Sequence, residues 1–447
     1  MIILLDSKSK MKVIFRDIEF EYEFDSTRCE LTLIINKDNN SDYFKKRINI
    51  EKTMSIKDEI IILEDKSFMW HIKECKYYFA NKIVFIIDYM IETYDDNLEI
   101  CTIELKSKTL DSILHPANYF YYNQDLAKND ILYNRIEMKK FDFNFENIKI
   151  KASIFIGDLL NRGICSKLTN SITLGLQFDK QDDIRIICKI IDYVKNALKI
   201  LSYTNDLIFD SIELRNEKKS YIGRIFDEKS NIHSNIRLCK SNRLYYNDVI
   251  NKVFNNVDKL DVSKLVFINN ETECNNYCIK LITLFAVFES NFIIKFKNYK
   301  SPKVELEHAK IIDDCLNFLL KYNDMNDIQF IEGLKNRIEK YNNSTYYKLK
   351  YALEFYCNKF NTNVTLALSR MDWLYYKEWN NKTEKVDVSA KKLCILRNTI
   401  VHTEKIPKIG KLEEFQIDAF EIIVYCMILD NLDLTDSEII EHLEMFY

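Results

Sequence analysis

The sequence predicts an α+β protein of two domains, in which a mainly antiparallel β domain of the sandwich or barrel kind precedes an all-α helical bundle. The chain has 447 residues, which is too long for one ordinary domain. Short runs of strand-forming residues recur through about the first 180 residues, whereas helical periodicity prevails after about residue 270. We therefore place the two domains at 1–260 and 270–447.

The first domain alternates apolar and polar residues over short stretches, as strands with one buried face do. The stretch 12–24 alternates with one shift of register at Arg16 and Asp17. Other strand-like runs are 31–35, 60–63, 83–87, 100–105, 141–145 and 148–150. Apolar residues recur near the 3.6-residue period at 183–203, which predicts a helix, and strand-like runs return at 204–245.

The second domain is helical throughout, after a polar and mixed stretch at 251–273 that marks the domain boundary. Its candidate helices are 275–297, 304–322, 327–341, 345–359, 365–380, 388–404, 411–432 and 435–446. Apolar residues form a broad face on the first and the seventh of these helices, and Pro302 marks a stop after the first. Repeated helices without strands predict a bundle.

Glycine and proline are scarce, with 6 Gly and 3 Pro in the whole chain. Both counts lie several-fold below average usage, and base composition of the genome explains most of this bias. The scarcity disfavours phosphate-binding loops and dinucleotide-binding fingerprints, which need closely spaced glycines. Gly157 and Gly163 are six residues apart, but no Lys-Ser or Lys-Thr pair completes a phosphate loop. Nucleotide-driven and nicotinamide chemistry are therefore disfavoured.

Charge is nearly balanced, because 64 Lys and Arg residues face 68 Asp and Glu residues for a net charge of −4. A nucleic acid would therefore have to bind a local patch rather than a broad basic surface. The cluster of Arg237, Lys240 and Arg243 beside two tyrosines is a candidate for RNA docking, with an ordinary solvated face as the alternative. The aromatic runs at 119–122, 245–246 and 346–348 are either base-stacking platforms or part of a core or an ordinary surface.

Cysteine usage indicates a reducing compartment. The chain has 12 Cys, and the closest pair, Cys274 and Cys278, has neither a second pair nor a nearby His to complete a zinc site. We therefore expect reduced thiols that pack as small hydrophobic groups, with no metal and no cofactor. A basic leader and a long uncharged apolar stretch are both missing, so we expect a cytoplasmic protein without a membrane partner.

One stretch carries residues suited to catalysis. Arg397, Asn398 and His402 lie in an apolar segment with helical periodicity. In a helix, Asn398 and His402 share a face, whereas Arg397 and His402 are about 140° apart around the axis and about 7.5 Å along it. Three arrangements could bring Arg397 and His402 together: the long Arg side chain curls round, the helix ends before His402, or a second subunit completes the site.

These three residue types suit the cleavage of RNA. Histidine titrates near neutral pH and transfers protons, arginine presents a fixed fork to phosphate oxygens, and asparagine orients either group. The 2′-hydroxyl of RNA can act as the nucleophile, so neither a metal nor a protein nucleophile is required. The alternative is that these are satisfied polar residues at a packing boundary.

The motif resembles the signature of the HEPN ribonuclease superfamily, in which Arg, often followed by a polar residue, precedes His by four to six positions. The order of a β-rich and a helical domain resembles the ApeA-like anti-phage proteins. The resemblance implies metal-independent endoribonuclease activity with Arg397 and His402 as catalytic residues and Asn398 in support. It also implies a homodimer through the helical domain, a possible phage-derived trigger, and abortive infection or growth arrest.

Glu289 lies on the first helix of the bundle, where such domains often carry an acid; it is either a support for Arg397 or an ordinary exposed surface glutamate. The helical part is longer than a minimal HEPN bundle, which suggests an insertion at about 304–385. Two other functions remain open from the sequence. One is a non-catalytic HEPN-like protein for dimerisation or ligand binding, and the other is a HEPN toxin of a toxin–antitoxin module.

Overall fold

The structure is a computed structural model that describes residues 12–16, 18–25, 28–34, 56–79, 82–94, 98–114, 136–160, 168–203, 207–227, 248–260, 276–299, 345–360, 382–402 and 407–445. The chain divides into two compact units, Met1–Asn255 and Asn256–Tyr447. The described part of the first unit is built on antiparallel strands and that of the second on helices, which confirms the prediction of a two-domain α+β protein.

Twelve strands are described in the first unit. They are β1 (Val13–Phe15), β2 (Ile18–Asp25), β3 (Glu30–Ile34), β4 (Glu59–Leu63), β5 (Phe68–Phe79), β6 (Lys82–Thr93), β7 (Ile100–Lys106), β8 (Ile136–Phe145), β9 (Ile148–Leu160), β10 (Leu168–Gln181), β11 (Ser211–Arg215) and β12 (Tyr221–Asp227). The break between β1 and β2 falls where the sequence shifts register, and Arg16 there has a left-handed φ of 51°.

The strands β1 to β6 close into a barrel. β1 pairs with β2, β2 with β3, β3 with β6, β6 with β5, β5 with β4, and β4 with β1, all antiparallel. Alternation along each strand turns one set of side chains inward. Trp70 and Phe85 are both fully buried in this core, and the ring of Phe15 lies 5.4 Å from that of Phe85.

The long strand β6 carries the chain from the barrel into an open sheet. Residues 82–86 of β6 pair with β3, whereas residues 89–93 pair with β12. From β12 the sheet continues through β11, β7, β10 and β9 to β8. Gly223 of β12 lies so close to β6 that a Cβ atom there would be 2.6 Å from the Glu92 carbonyl oxygen. This contact explains a glycine in a chain that has so few.

Three helices accompany the open sheet: α1 (Lys108–Leu114), α2 (Ile184–Ser202) and α3 (Val249–Asn256). α2 begins after Asp183, whose carboxylate accepts a hydrogen bond from the backbone amide of Arg185 at 2.9 Å. It ends before Tyr203, which has a left-handed φ of 52°. Its Tyr193 ring stacks on Phe143 of β8 with centroids 5.6 Å apart. The predicted helix at 183–203 therefore covers one face of the sheet.

Ionisable groups beneath α2 are buried in pairs, which avoids the cost of an isolated buried charge. The Tyr89 hydroxyl donates to Asp192 at 2.5 Å, and the Lys195 ammonium lies 2.8 Å from Asp227 and 4.5 Å from the centre of the Tyr89 ring. Burial raises the pKa of Asp192 above its ordinary value. These contacts tie α2 to β6 and β12.

The second unit contains α4 (Tyr277–Lys295), α5 (Thr345–Lys359), α6 (Lys382–His402), α7 (Lys411–Asn431) and α8 (Asp436–Glu444) among its described residues. α7 is buried along most of its length, and α4, α5, α6 and α8 all contact it. Lys280 of α4 lies 2.6 Å from both Asp418 and Glu421 of α7, and the Tyr356 hydroxyl of α5 donates to Asp430 at 3.0 Å. These contacts connect α7 to its neighbours.

Several elements were not predicted from the sequence. β5 and β10 are missed, and α3 overlaps the start of the polar stretch 251–273 that marks the domain boundary. The predicted helix 388–404 begins earlier, at Lys382. The helices predicted at 304–322, 327–341 and 365–380 lie outside the described residues.

The helix α4 is long and apolar enough to cross a membrane by length and composition alone. The mean hydropathy of its most apolar 18-residue window is 1.6, and half of that window is buried in the protein. Core helices pass the same test, and α4 packs its Phe285 and Phe288 rings against Phe420 of α7. The helix is therefore weak evidence for a membrane span.

The carboxyl of Asp111 makes stability of the first unit dependent on pH. Burial raises the pKa of Asp111 to about 6, although the Ile172 amide donates to it at 2.6 Å. The folded protein therefore binds a proton that the unfolded chain releases, so this contribution to the free energy of unfolding falls as pH rises from about 4 to about 6. We expect Asp111→Asn to raise that free energy by about 1 kcal/mol at pH 7, after allowance for partial exposure, and to give no gain at pH 4.

Urea unfolding followed by circular dichroism at the two pH values measures this difference. The exposed Asp179→Asn is a matched control that should change neither value. A loss of stability in Asp111→Asn that is equal at both pH values would contradict the assignment.

Candidate functional site

The helix α6 runs without interruption to His402, its last residue. A helix that ends before His402, one of the three arrangements considered from the sequence, therefore does not occur. The positions of Arg397 and His402 are about 140° apart around the axis and about 7.5 Å apart along it. The backbone of His402 is helical.

The side chain of Arg397 reaches round the helix. It starts on the side of α6 that also carries the buried Leu393, and it is itself half-buried. Its Nη1 donates to Oδ1 of the next residue, the exposed Asn398, at 3.0 Å. Asn398 and His402 are four residues apart and share a helix face. The guanidinium therefore extends towards the face on which His402 is placed.

Glu289 lies near this part of α6 from the neighbouring helix α4. It is half-buried and accepts a hydrogen bond from the Thr345 hydroxyl, at the start of α5, at 2.7 Å. Within the described residues, no hydrogen bond or ion pair joins Glu289 directly to Arg397. The two residues instead act on a shared neighbour, the thiol of Cys394.

Burial raises the pKa of Cys394 to about 12, while the charge of Arg397 opposes the rise and that of Glu289 adds to it. Cys394 is one turn before Arg397 and Asn398 on α6. The thiol is therefore protonated at neutral pH and close to both charged groups. The same carboxylate also meets α5 through Thr345, so α4, α5 and α6 converge here.

A second polar cluster lies two turns earlier, where α5 faces α6. Asp387 of α6 accepts a hydrogen bond from the Tyr346 hydroxyl and lies 3.0 Å from Lys350 and 2.9 Å from Lys391. The Tyr346 and Tyr347 rings are 4.9 Å apart at an interplanar angle of 60°. The two tyrosines belong to the run at 346–348 that the sequence offers as a candidate for base stacking. Their proximity to Asp387 and to the two lysines could not be predicted from the sequence.

The two clusters lie along one stripe of α6. Asp387, Lys391, Cys394 and Asn398 are spaced i, i+4, i+7 and i+11, which keeps them on one helix face. His402 is four residues beyond Asn398, on the same side. This spacing could have been read from the sequence, because polar residues at these intervals continue into the Arg397 motif.

The other predicted RNA-docking residues, Arg237, Lys240 and Arg243, lie outside the described residues. Among the described residues, no three His, Cys, Asp or Glu side chains come together in a cluster that could hold a metal ion. The arrangement on α6 offers a guanidinium, an amide and a histidine position, which together can bind a phosphate and transfer a proton.

Comparison with protein-family models, with curated proteins and with solved structures finds no match for the chain. Its function is therefore inferred from the residues and geometry of this site.

Alkylation of Cys394 measures whether Glu289 and Arg397 both lie close to its thiol. We expect Glu289→Gln to speed its reaction with iodoacetamide by about two- to fivefold at mildly alkaline pH, because a charge that raises the thiol pKa is lost. We expect Arg397→Gln to slow the reaction by a similar factor. Peptide-resolved mass spectrometry gives the rate at each cysteine.

Cys29 in the first unit is the internal control, and its rate should be the same in all three proteins. Equal Cys394 rates in the wild type and in both variants would contradict this geometry.

Proposed function

We propose that the protein is a metal-independent endoribonuclease of the HEPN type, with Arg397 and His402 as its catalytic residues. In this reaction the ribose 2′-hydroxyl attacks the adjacent phosphate, and the chain is cut with a 2′,3′-cyclic phosphate on one product. His402 transfers a proton to or from the reacting oxygens, and Arg397 stabilises charge that develops on the phosphate. Asn398 orients the guanidinium.

The observation that carries the proposal is the hydrogen bond between Arg397 and Asn398, at 3.0 Å. It draws the guanidinium from its own side of α6 towards the side shared by Asn398 and His402. The arrangement in which the arginine curls round the helix is thereby favoured within one chain. The charges of Glu289 and Arg397 both act on the Cys394 thiol, and we propose that Glu289 supports Arg397 at longer range without a direct contact.

We further propose a homodimer through the helical unit. Among the large apolar side chains exposed on this unit are Ile279, Ile282 and Ile293 on α4, and Val388, Ile395 and Val401 on α6. Ile395 is 66% exposed and lies on α6 beside the stripe that leads to Asn398. A second copy that covers Ile395 would place its own residues beside Asn398. Analytical ultracentrifugation that gives the mass of a single chain would contradict the proposed homodimer.

In the proposed defence role, the β-rich unit is a sensing or regulatory domain, and RNA cleavage in the cytoplasm causes abortive infection or growth arrest. Regulation is required because an unrestrained ribonuclease would kill its host. The support for this role is the resemblance of the domain order and of the Arg397 motif to ApeA-like anti-phage proteins. A toxin of a two-gene module would share the same catalytic residues.

A second candidate function is non-catalytic binding or dimerisation. The angle of about 140° between the helix positions of Arg397 and His402 favours it, because a catalytic pair on one helix more simply shares a face. Purified protein that binds RNA without cutting it would support this alternative.

The catalytic assignment predicts a loss of RNA cleavage when either residue is replaced. We expect Arg397→Ala and His402→Ala to lower the cleavage rate by about a hundredfold or more, while the thermal unfolding midpoint stays near the wild-type value. Arg397→Lys should retain only part of the activity, because lysine keeps the charge but loses the planar fork. Cleaved RNA should carry 2′,3′-cyclic phosphates, and EDTA should not inhibit.

Arg185→Ala is the matched control, since Arg185 is an exposed arginine that pairs with Asp183 in the other unit. It should cleave like the wild type. Wild-type cleavage rates in both the Arg397→Ala and the His402→Ala proteins would refute the assignment.

A further inference from the structure

We propose that the start of α5 and the facing turns of α6 form a docking surface for a single-stranded segment of RNA, which leads the strand to Asn398 and His402. We define this docking surface by Tyr346, Tyr347, Lys350, Asp387 and Lys391. This inference rests on the proposed ribonuclease function and names the form of RNA that the site accepts. Tyr347 stacks an unpaired base, and Lys391 binds a phosphate.

The charge of the docking surface favours a polyanion. Lys350 and Lys391 share one carboxylate, that of Asp387, at 3.0 and 2.9 Å. Although burial raises the pKa of Asp387, hydrogen bonds from Tyr346 and both lysines lower it to about 2. The carboxylate is therefore ionised at neutral pH, and the cluster keeps one net positive charge. The Lys391 side chain is 60% exposed, so its ammonium can reach a phosphate from solvent.

The aromatic part of the docking surface is fixed by its neighbours. The Tyr346 hydroxyl is held by Asp387, and the Lys391 ammonium lies 5.9 Å from the centre of the Tyr346 ring. Tyr347 packs edge-on against this fixed ring and is half-exposed. A tyrosine whose neighbour is rigid loses little entropy when a base stacks on it, and stacking tolerates any base. Paired bases in a duplex have no free face to offer.

The docking surface is continuous with the candidate catalytic residues. Asn398 is seven residues after Lys391 on the same face of α6, a distance of about 10 Å. That length equals about three stacked nucleotides, so a strand held at Lys391 can reach Asn398 and His402. The α5 end of the surface also adjoins this region, because Thr345 donates to Glu289.

Binding of a fluorescein-labelled oligouridine to the full-length His402→Ala protein tests the inference without cleavage. Tyr347→Ala in this background should weaken binding by about 5- to 100-fold and leave its salt dependence unchanged, whereas Tyr347→Phe should bind normally. Lys391→Ala should lower the slope of log affinity against log salt by about 0.7. Lys392→Ala is the matched control: Lys392 adjoins Lys391 but faces Glu413 at 2.8 Å, and this variant should alter neither quantity.

The outcomes separate the two proposals. If wild-type protein cleaves RNA but Tyr347→Ala and Lys391→Ala bind like Lys392→Ala, the docking surface is refuted while the ribonuclease function stands. If the variants lose binding as expected but the wild type cuts no RNA, the docking surface stands without catalysis. A duplex that competes as well as the single strand, or no binding by any protein, would overturn the inference.

Discussion

The burial of α7 is the constraint on which the helical unit depends. Its sequence is apolar around most of its circumference, and a helix of this kind is stable only when other helices surround it. Three of its polar residues then need partners in a dry environment. Glu421 forms an ion pair with Lys280 of α4 at 2.6 Å. Asn431 donates a hydrogen bond to the backbone carbonyl oxygen of Asn291 on α4, and Gln416 donates one to the Ser389 hydroxyl of α6 at 3.3 Å.

These polar contacts favour the observed register of the helices, because a shift along the axis would separate the buried partners. Two contacts join α6 to α7 in this register: Gln416 donates to Ser389, and Lys392 lies 2.8 Å from Glu413. Once that register is set, Leu393 faces the core, and the stripe from Asp387 to Asn398 faces away from α7. The chemistry proposed for α6 is therefore a consequence of how α7 is buried. In the first unit the barrel and the open sheet share the strand β6, so β6 determines how those two parts are joined.

The sequence predicted β1 to β4 from alternation at 12–24 and from strand-like runs at 31–35 and 60–63, and it predicted the described helices of the second unit, because these patterns are local. It could not predict that β3 pairs with β6 to close a barrel, since that contact depends on residues far apart in the chain. β5 was missed because charged Lys73 and Glu74 interrupt its apolar pattern, where the pairing with β6 also shifts register. The spacing of Arg397 and His402 is visible in the sequence, but its interpretation as a catalytic motif depends on the resemblance to HEPN ribonucleases. The cluster around Asp387 could not, because it requires α5 to lie against α6.

If the protein cuts RNA as proposed, by attack of the 2′-hydroxyl at a site formed by Arg397 and His402, cleavage must depend on one hydroxyl of the substrate. An RNA oligonucleotide whose cleavage position has been mapped tests this dependence. The ribose on the 5′ side of that bond is then replaced by 2′-deoxyribose, and cleavage is measured again. We expect cleavage at that bond to be abolished while other bonds are cut as before. Cleavage of the deoxy-substituted bond at an unchanged rate would contradict this mechanism.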